Sequence, residues 1–379
     1  MIRLLHFGDM HLDSPFSSVS VAAGEKLRAE LRSVFKEIIS LASDFDAVLI
    51  AGDLFDHGYV APDTVNEVRD VLGSCGKPVI IAPGNHDPYT AGSIWKSVVW
   101  PENVRIFSSD TLSSFEFEAG GVPVTVWGWA FTSDRLDRCP LEPDSIPADN
   151  GRVNILCAHA DTQSPISKYC PLPPSLIASS GCVYAALGHV HNPPEPLHCG
   201  MTVAAYCGFP EGRSFDETGK GGVLSVTVEN GSSPVIEKIL TCHHTYHILR
   251  ADITGTDGDA DACRRLYEIC AGEHFTSDTS LRIYLDGSVP PDYVPGADSL
   301  SAALSAVLEE AGIPVVSVEI LDRTSPVYGA DYLLNDLSIR GELYRTLLPS
   351  LSSSDPEERE KAAYALRIGL LALDGKAYT

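Results

Sequence analysis

Five short stretches of the chain place acidic, amide and imidazole side chains directly after apolar runs. They are Gly8-Asp9-Met10-His11, Gly52-Asp53-Leu54-Phe55-Asp56, Gly84-Asn85-His86-Asp87, Ala158-His159-Ala160 and Gly188-His189-Val190-His191. Asp9, His11, Asp53, Asn85, His159, His189 and His191 offer carboxylate, carbonyl and imidazole donors and no thiolate. That mixture suits a pair of divalent cations such as manganese or iron better than a structural zinc. Asp53 has two carboxylate oxygens and could bridge both cations. Asp9 and His11 are two residues apart, as are His189 and His191, so on extended strand ends each pair would share a side. Two such cations would grip the oxygens of a phosphate and acidify a water between them. The reaction then needs a proton for the leaving oxygen. His86 is the candidate donor, with Asp56 placed to orient it.

Each piece alone is weak. A Gly-Asp pair is usually a turn, and Gly84-Asn85-His86-Asp87-Pro88 is rich in loop formers. Five such pieces, each ending a strand-like run, make chance a poor explanation. His6, His57, His198, His243, His244, His247 and His274 lack a matching context and read as structural or solvent-exposed. Asp87 and Asp161 read as orienting or capping groups, and Asp13 as a loop or rim residue.

The elements that position these residues follow from hydrophobic pattern. Leu4 to Phe7, Ala47 to Ile50, Val79 to Ala82, Ile155 to Ala158 and Val183 to Leu187 are short apolar runs with the character of buried strands. Helical spacing spans Glu25 to Ser43, and Pro62 opens a second helix to Leu72. Alternating strands and helices imply an α/β layered fold, in which sites gather at strand carboxyl ends. All five motifs would then meet on one edge. Val122 to Trp129 and Met201 to Leu240 read as β, a second sheet completing a β-sandwich, with Asn230-Gly231 as a hairpin signal. From Thr245 the order strand, helix, strand, helix, strand describes a small α+β module ending near Ile320. The remainder reads as helical, its last helix capped by Asp355, opened by Pro356 and stopped at Gly375. Leu333, Leu337, Tyr344 and Leu347 form one apolar stripe there, and Ala363, Leu366, Leu370 and Leu373 another.

The chain has 379 residues, enough for two or more domains. No apolar run reaches the length of a membrane span, and the N-terminal residues run straight into the first motif, so a cytoplasmic protein is expected. Ten irregularly spaced cysteines with no Cys-x-x-Cys pair argue against a disulfide framework. The net charge of -24, from 27 basic and 51 acidic residues, is adverse for holding a phosphate backbone. It leaves open a smaller phosphoester as substrate, or a partner that supplies the DNA surface.

The five motifs resemble those of the calcineurin-like metallophosphoesterase superfamily. Asp-Met-His-Leu-Asp-Ser-Pro-Phe at residues 9–16 and Gly-Asp-Leu-Phe-Asp at 52–56 are similar to the SbcD-type DNA repair exonucleases, nearest the YhaO-like branch. The stretch Gly208 to Glu217 also resembles a loop of that family. The resemblance implies a four-layer β-sandwich flanked by helices over residues 1–243, an α+β capping domain over 244–325, and a C-terminal helical segment over 326–379. It further implies that Asp9, His11, Asp53 and His191 hold one metal, and Asp53, Asn85, His159 and His189 the other. His86 would be the catalytic histidine. Manganese would be the usual cofactor, with iron and magnesium as alternatives. The expected activity is cleavage of DNA phosphodiesters, at ends and in single strands, by a homodimer working with an SMC-like ATPase of the SbcC type. The alternative is a phosphoesterase acting on small molecules, nucleotides or phosphoproteins. Asp13 stands where the family commonly has Gly. The two terminal stripes fit either packing on the parent domain or docking of the ATPase's coiled-coil root.

Overall fold

The computed structural model describes residues 1–17, 19–56, 60–147, 151–229, 232–275, 278–291 and 293–375. His57 and the Asn230-Gly231 hairpin signal lie outside the described residues. The chain divides into two units, Met1–Ile248 with Phe275–Ser280, and Leu249–His274 with Leu281–Thr379.

The first unit contains β1 (Ile2–Phe7), β2 (Ala47–Ile50), β3 (Val79–Ile81), β4 (Val104–Ile106), β5 (Ser113–Ala119), β6 (Val122–Gly128), β7 (Val153–His159), β8 (Tyr184–Gly188), β9 (Leu197–Cys199), β10 (Thr202–Tyr206), β11 (Gly222–Val228) and β12 (Val235–Leu240). Its helices are α1 (Val21–Ser40), α2 (Pro62–Ser74), and the short α3 (Ile94–Ser97) and α4 (Pro174–Ala178). One sheet runs in the order β12-β11-β1-β2-β3-β4, the other β5-β6-β7-β8-β10-β9.

The apolar runs are continuous because both faces of their strands are covered. Leu5, Phe7, Val48, Ile50, Val79 and Ile81 meet Leu31, Phe35 and Ile38 of α1 and Val65, Val68 and Leu72 of α2. The alternate residues Ile2, Leu4, Ala47, Leu49 and Ile80 face Val124, Val126, Ile155, Tyr184 and Ala186 across the gap between the sheets. Leu156, Ala158, Ala185 and Leu187 carry the outer face of the second sheet, covered by Trp129, Phe131 and Ile177 of α4. The result is the four-layer arrangement of helices, sheet, sheet and helix with loops. Two details differ from expectation. α1 starts at Val21, where the Ser20 hydroxyl accepts the Ala23 amide at 3.3 Å, and it gives way to a 3-10 turn at Leu41–Asp44. The span Met201 to Leu240 does not stay in one sheet. β10 joins the second sheet, but β11 pairs antiparallel with β1 and extends the first. The first sheet's free edge beside β1 needed a hydrogen-bonding partner, and the long loop 207–221 lets the chain reach it.

β13 (His244–Asp252) and β14 (Asp278–Asp286) each cross the division, and the second unit further contains α5 (Asp259–Gly272), β15 (Ser288–Val289), α6 (Ala297–Glu310), β16 (Val315–Asp322), β17 (Ser325–Pro326), α7 (Ala330–Asn335), α8 (Ile339–Leu351) and α9 (Pro356–Leu373). β13, β14 and β16 form a three-stranded sheet. Leu281, Ile283 and Leu285 alternate on its buried side, and Leu266, Leu300, Leu304 and Leu308 are the buried stripes of α5 and α6. α9 begins as its sequence indicates, the Asp355 carboxylate accepting the Glu357 amide at 3.0 Å. α8 and α9 pack closely, since a Cβ on Gly369 would lie 2.4 Å from Leu343. The expected stripes do not survive intact. Leu333 and Tyr344 are buried, but Leu337 is 97% exposed, because Asp336 ends α7 and the chain turns before α8. Ala362 is buried where the stripe predicts Ala363. Among the described residues no helix is long and apolar enough to cross a membrane.

Candidate metal centre

The motifs leave the carboxyl ends of parallel strands on both sheets. Asp9, Asp53 and Asn85 follow β1, β2 and β3, while His159 ends β7 and His189 follows β8. They therefore meet across the gap between two sheets and not along one edge of a single sheet. The sheets approach so closely that a Cβ on Gly188 would sit 1.9 Å from the Ala51 carbonyl. Only glycine fits there.

Asp9 and His11 do not lie on an extended strand. β1 stops at Phe7, and Asp9 (φ 49°), His11 (φ 46°) and Asp53 (φ 49°) all adopt the left-handed conformation. Asp9 and His11 are held there by amide bonds to the carbonyls of Gly52 (3.0 Å) and Asp53 (2.9 Å). Such backbone costs roughly 1–3 kcal/mol per residue and collects at functional sites. Here it turns three ligand-type side chains into one space.

Tautomers follow from the partners. His159 Nδ1 lies 3.0 Å from the Ala51 carbonyl, which can only accept, so Nδ1 carries the proton. His159 Nε2 then presents a lone pair to Asn85 Oδ1 at 3.0 Å and Asp53 Oδ2 at 3.3 Å. Three acceptors facing one point are satisfied by a cation. His189 stacks edge-on against His159, ring centroids 5.1 Å apart. On the other side, His191 Nδ1 donates to Glu217 Oε1 at 2.8 Å and aims Nε2 at Asp9 Oδ1, 3.7 Å away. His11 Nε2 is 3.7 Å from Asp53 Oδ2, and both His11 ring nitrogens are buried without a hydrogen-bond partner. Burial holds His11 well below its ordinary pKa, so it is a neutral donor. Burial also pushes the Asp9 carboxyl up, although His191 and His159 oppose this. Ligand atoms of Asp9, His11 and His191, of Asp9, Asp53 and His159, and of His11, Asp53 and His86 lie within 4.8 Å of one another in each trio. Orphaned imidazole nitrogens facing buried carboxylates fit divalent cations.

His86 differs from the others in exposure. Its side chain is 45% exposed, against 2% for His11. Its amide donates to Asp53 Oδ1 at 2.9 Å and its Nδ1 to Asp56 Oδ1 at 3.2 Å. The bond to Asp56 raises the His86 pKa. Asp56 is itself fixed by the Ser14 hydroxyl at 2.9 Å.

Sequence reading missed the group that holds this edge. Arg213 donates to Ser14 Oγ at 3.3 Å and forms a buried ion pair with Glu217. Both lie in the loop Gly208 to Glu217. An Arg four residues before a Glu was the available signal, too common to assign a role. Tyr169, with its ring 5.0 Å from that of His189, was also missed. Asp87 is buried and accepts the amides of Gly84, Leu54 and Phe55, tying the second and third motifs together. Asp161 caps the amides of Gln163 and Ser164. Asp13 is buried, not at the rim, and binds Arg32 at 2.8 Å and the Ala61 amide at 2.9 Å. His6 is a buried structural residue hydrogen-bonded to Tyr184, pushed down to about 3 by burial. His198 and His274 are exposed. His243 is held between Glu30 and Glu37 of α1.

Residues 2–193, just over half of the chain, match the calcineurin-like phosphoesterase family. The chain is 30% identical over 246 residues to the "Uncharacterized metallophosphoesterase YhaO" of Bacillus subtilis (strain 168), covering 61% of this chain and 58% of that protein. It is 27% identical over 271 residues to the "DNA double-strand break repair protein Mre11" of Aeropyrum pernix, covering 67% and 64%. It is 23% identical over 221 residues to an SbcCD nuclease subunit of Staphylococcus epidermidis, covering 51% and 57%. The matched region thus spans about 60% of the length of these relatives. With two facing sheets, left-handed backbone at Asp9, His11 and Asp53 and acceptor clusters at the strand ends, the chain belongs to the calcineurin-like phosphoesterase family.

Proposed function

We propose that this chain is a two-metal phosphodiesterase whose substrate is DNA. The observation that carries the reading is the pair of acceptor clusters sharing Asp53, with His86 on their open side. In this reading Asp9, His11, Asp53 and His191 hold one cation, and Asp53, Asn85, His159 and His189 the other. Carboxylate, amide and imidazole donors without a thiolate favour manganese, with iron or magnesium as alternatives. Cys207 lies 3.7 Å from Asp9 Oδ2, but burial pushes its thiol well up and it stays protonated. Bound cations would supply charge for the phosphate oxygens and an acidified water. The protein's own work is positional. Ala51 and Glu217 fix the tautomers of His159 and His191. Asp56 keeps a proton on His86 Nδ1 and orients Nε2 toward the leaving oxygen, which His86 protonates.

DNA as substrate draws support from the names of two relatives, a double-strand break repair protein and a nuclease subunit. The second unit would serve as the capping part, and α7 to α9 as a dock for an SMC-like ATPase, in a homodimer. Net charge favours a second reading, hydrolysis of small-molecule, nucleotide or phosphoprotein esters. One experiment separates them. The purified chain with manganese is offered labelled single- and double-stranded DNA and bis-p-nitrophenyl phosphate, with and without the ATPase. Cleavage of all three, lost in His86→Ala by about 10²–10⁴-fold, is expected. Ester cleavage with no DNA cleavage, even with the ATPase, removes DNA as substrate. Full activity in His86→Ala removes the assigned proton donor.

A further inference from the structure

One buried hydroxyl joins the first motif to the second, and its surroundings commit its single hydrogen. Ser14 Oγ lies 2.9 Å from Asp56 Oδ2, 3.0 Å from the His11 carbonyl and 3.3 Å from Arg213 Nη1. A guanidinium only donates, so Ser14 Oγ accepts from Arg213. The His11 carbonyl already receives the Ser14 amide at 3.1 Å. The hydroxyl hydrogen therefore goes to the Asp56 carboxylate, the nearer acceptor and the charged one. Asp56 is then held at both oxygens, by Ser14 at Oδ2 and by His86 Nδ1 at Oδ1. The backbone sets this meeting. The Leu12 amide donates to the Leu54 carbonyl at 2.9 Å and the Asp56 amide to the Leu12 carbonyl at 3.1 Å, around a parallel bridge between Leu12 and Phe55. Asp13, between Leu12 and Ser14, has φ 62°, where a glycine would fit more easily. Its carboxylate offsets that strain by binding Arg32 and the Ala61 amide, which pins the turn that presents Ser14.

We propose that Ser14 is a positioning residue for phosphoester hydrolysis: backed by Arg213, it locks the Asp56 carboxylate that aims His86. This rests on the reading of His86 as proton donor. The last torsion of an aspartate is broad. A carboxylate bound to His86 alone would turn with the ring and could not direct it. The ring has few other restraints, being exposed and meeting the His11 ring edge-on at 4.6 Å between centroids. Ser14 also completes a longer path. Glu217 holds His191 Nδ1 and pairs with Arg213, so one run of hydrogen bonds leads from His191 through Glu217, Arg213, Ser14 and Asp56 to His86. Removing the Ser14 hydroxyl breaks that path without removing a metal-ligand side chain.

The test is a double-mutant cycle on the manganese-loaded full chain, with bis-p-nitrophenyl phosphate as substrate. Ser14→Ala should lower kcat by about 10–100-fold with KM unchanged. Manganese affinity in calorimetry should hold, because the His11 carbonyl keeps its bond from the amide of residue 14. Ser14→Ala combined with His86→Ala should be no slower than His86→Ala alone, since nothing remains to be positioned. A crystal structure of chelated Ser14→Ala should show the Asp56 carboxylate turned and the His86 ring displaced. Wild-type kcat in Ser14→Ala, losses that multiply in the double variant, a loss explained by weaker manganese binding, or an unmoved Asp56 and His86 overturns the proposal. Full activity in His86→Ala is a separate result, which removes the proton-donor reading and this inference with it. A fully active Ser14→Ala beside a slow His86→Ala removes this inference alone. If Ser14→Ala fails to fold, Ser14→Cys, close in size but a weak donor, takes its place in the cycle.

Discussion

Replacing Glu217 by Gln should cost the first unit about 3 kcal/mol at pH 7. The side chain is only 2% exposed and sits between Arg213 and His191. Burial opposes its ionisation, but His191 and Arg213 overcome that and hold its pKa at about 2. A fall from 4.5 to about 2, at ~1.4 kcal/mol per pH unit, corresponds to roughly 3 kcal/mol. Independently, stranding one member of a buried ion pair costs about 3–5 kcal/mol. The lower end applies here, because Asp56 and Asp9 still face the Arg213 guanidinium. The sign follows from linkage. A carboxyl with a depressed folded pKa stabilises above its unfolded value, near 4.5, and loses that contribution as pH falls through about 2. The deficit of Glu217→Gln is therefore complete at pH 7 and shrinks below pH 4.5. The assay is urea unfolding of the chelated protein, followed by tryptophan fluorescence. All four tryptophans, Trp95, Trp100, Trp127 and Trp129, belong to the first unit, so the signal reports on it. Glutamine also weakens the acceptor for His191 Nδ1, so manganese affinity should fall by about 10–100-fold in calorimetry. A stability loss below about 1 kcal/mol at pH 7, or one that does not vary between pH 7 and pH 4, would refute the buried-pair reasoning.

Three further predictions follow from single contacts. Gly84→Ala places a Cβ 2.2 Å from Asp53 Oδ1, so it should abolish metal binding at the shared carboxylate, measured by calorimetry, while circular dichroism shows the sheets retained. Asp355→Ala removes the cap of α9 and should cost about 1 kcal/mol, read as faster amide hydrogen exchange in the first turn of that helix. Desolvation lowers the His243 pKa, but bonds to Glu30 and Glu37 outweigh it and raise the value above 6.5. The melting difference between wild type and His243→Gln should thus be widest below pH 6.5 and close as pH rises through the elevated value.

Much of this protein is legible in its sequence because the information is local. Continuous apolar runs mark strands buried on both faces, which is why β1, β2, β3, β7 and β8 can be placed from the runs alone. The donor types after those runs, with no thiolate among them, point to divalent cations other than a structural zinc. Asp355, Pro356 and Gly375 mark the ends of α9 because capping is a matter of neighbouring residues. Tertiary structure decided what depends on distant parts of the chain. The motifs lie on two sheets, and β11 lies beside β1, because an unpaired sheet edge takes whichever strand the loops deliver. Asp9, His11 and Asp53 reach the site through left-handed backbone held by long-range amide bonds, which spacing by two could not reveal. Arg213 and Glu217 support His191 and Asp56 only once the loop folds back on the first motif. Sequence alone determined what kinds of ligand the chain carries. Which tautomers they adopt, which acceptors face one another, and which histidine stays exposed were set by packing, since each depends on a partner far away in the chain.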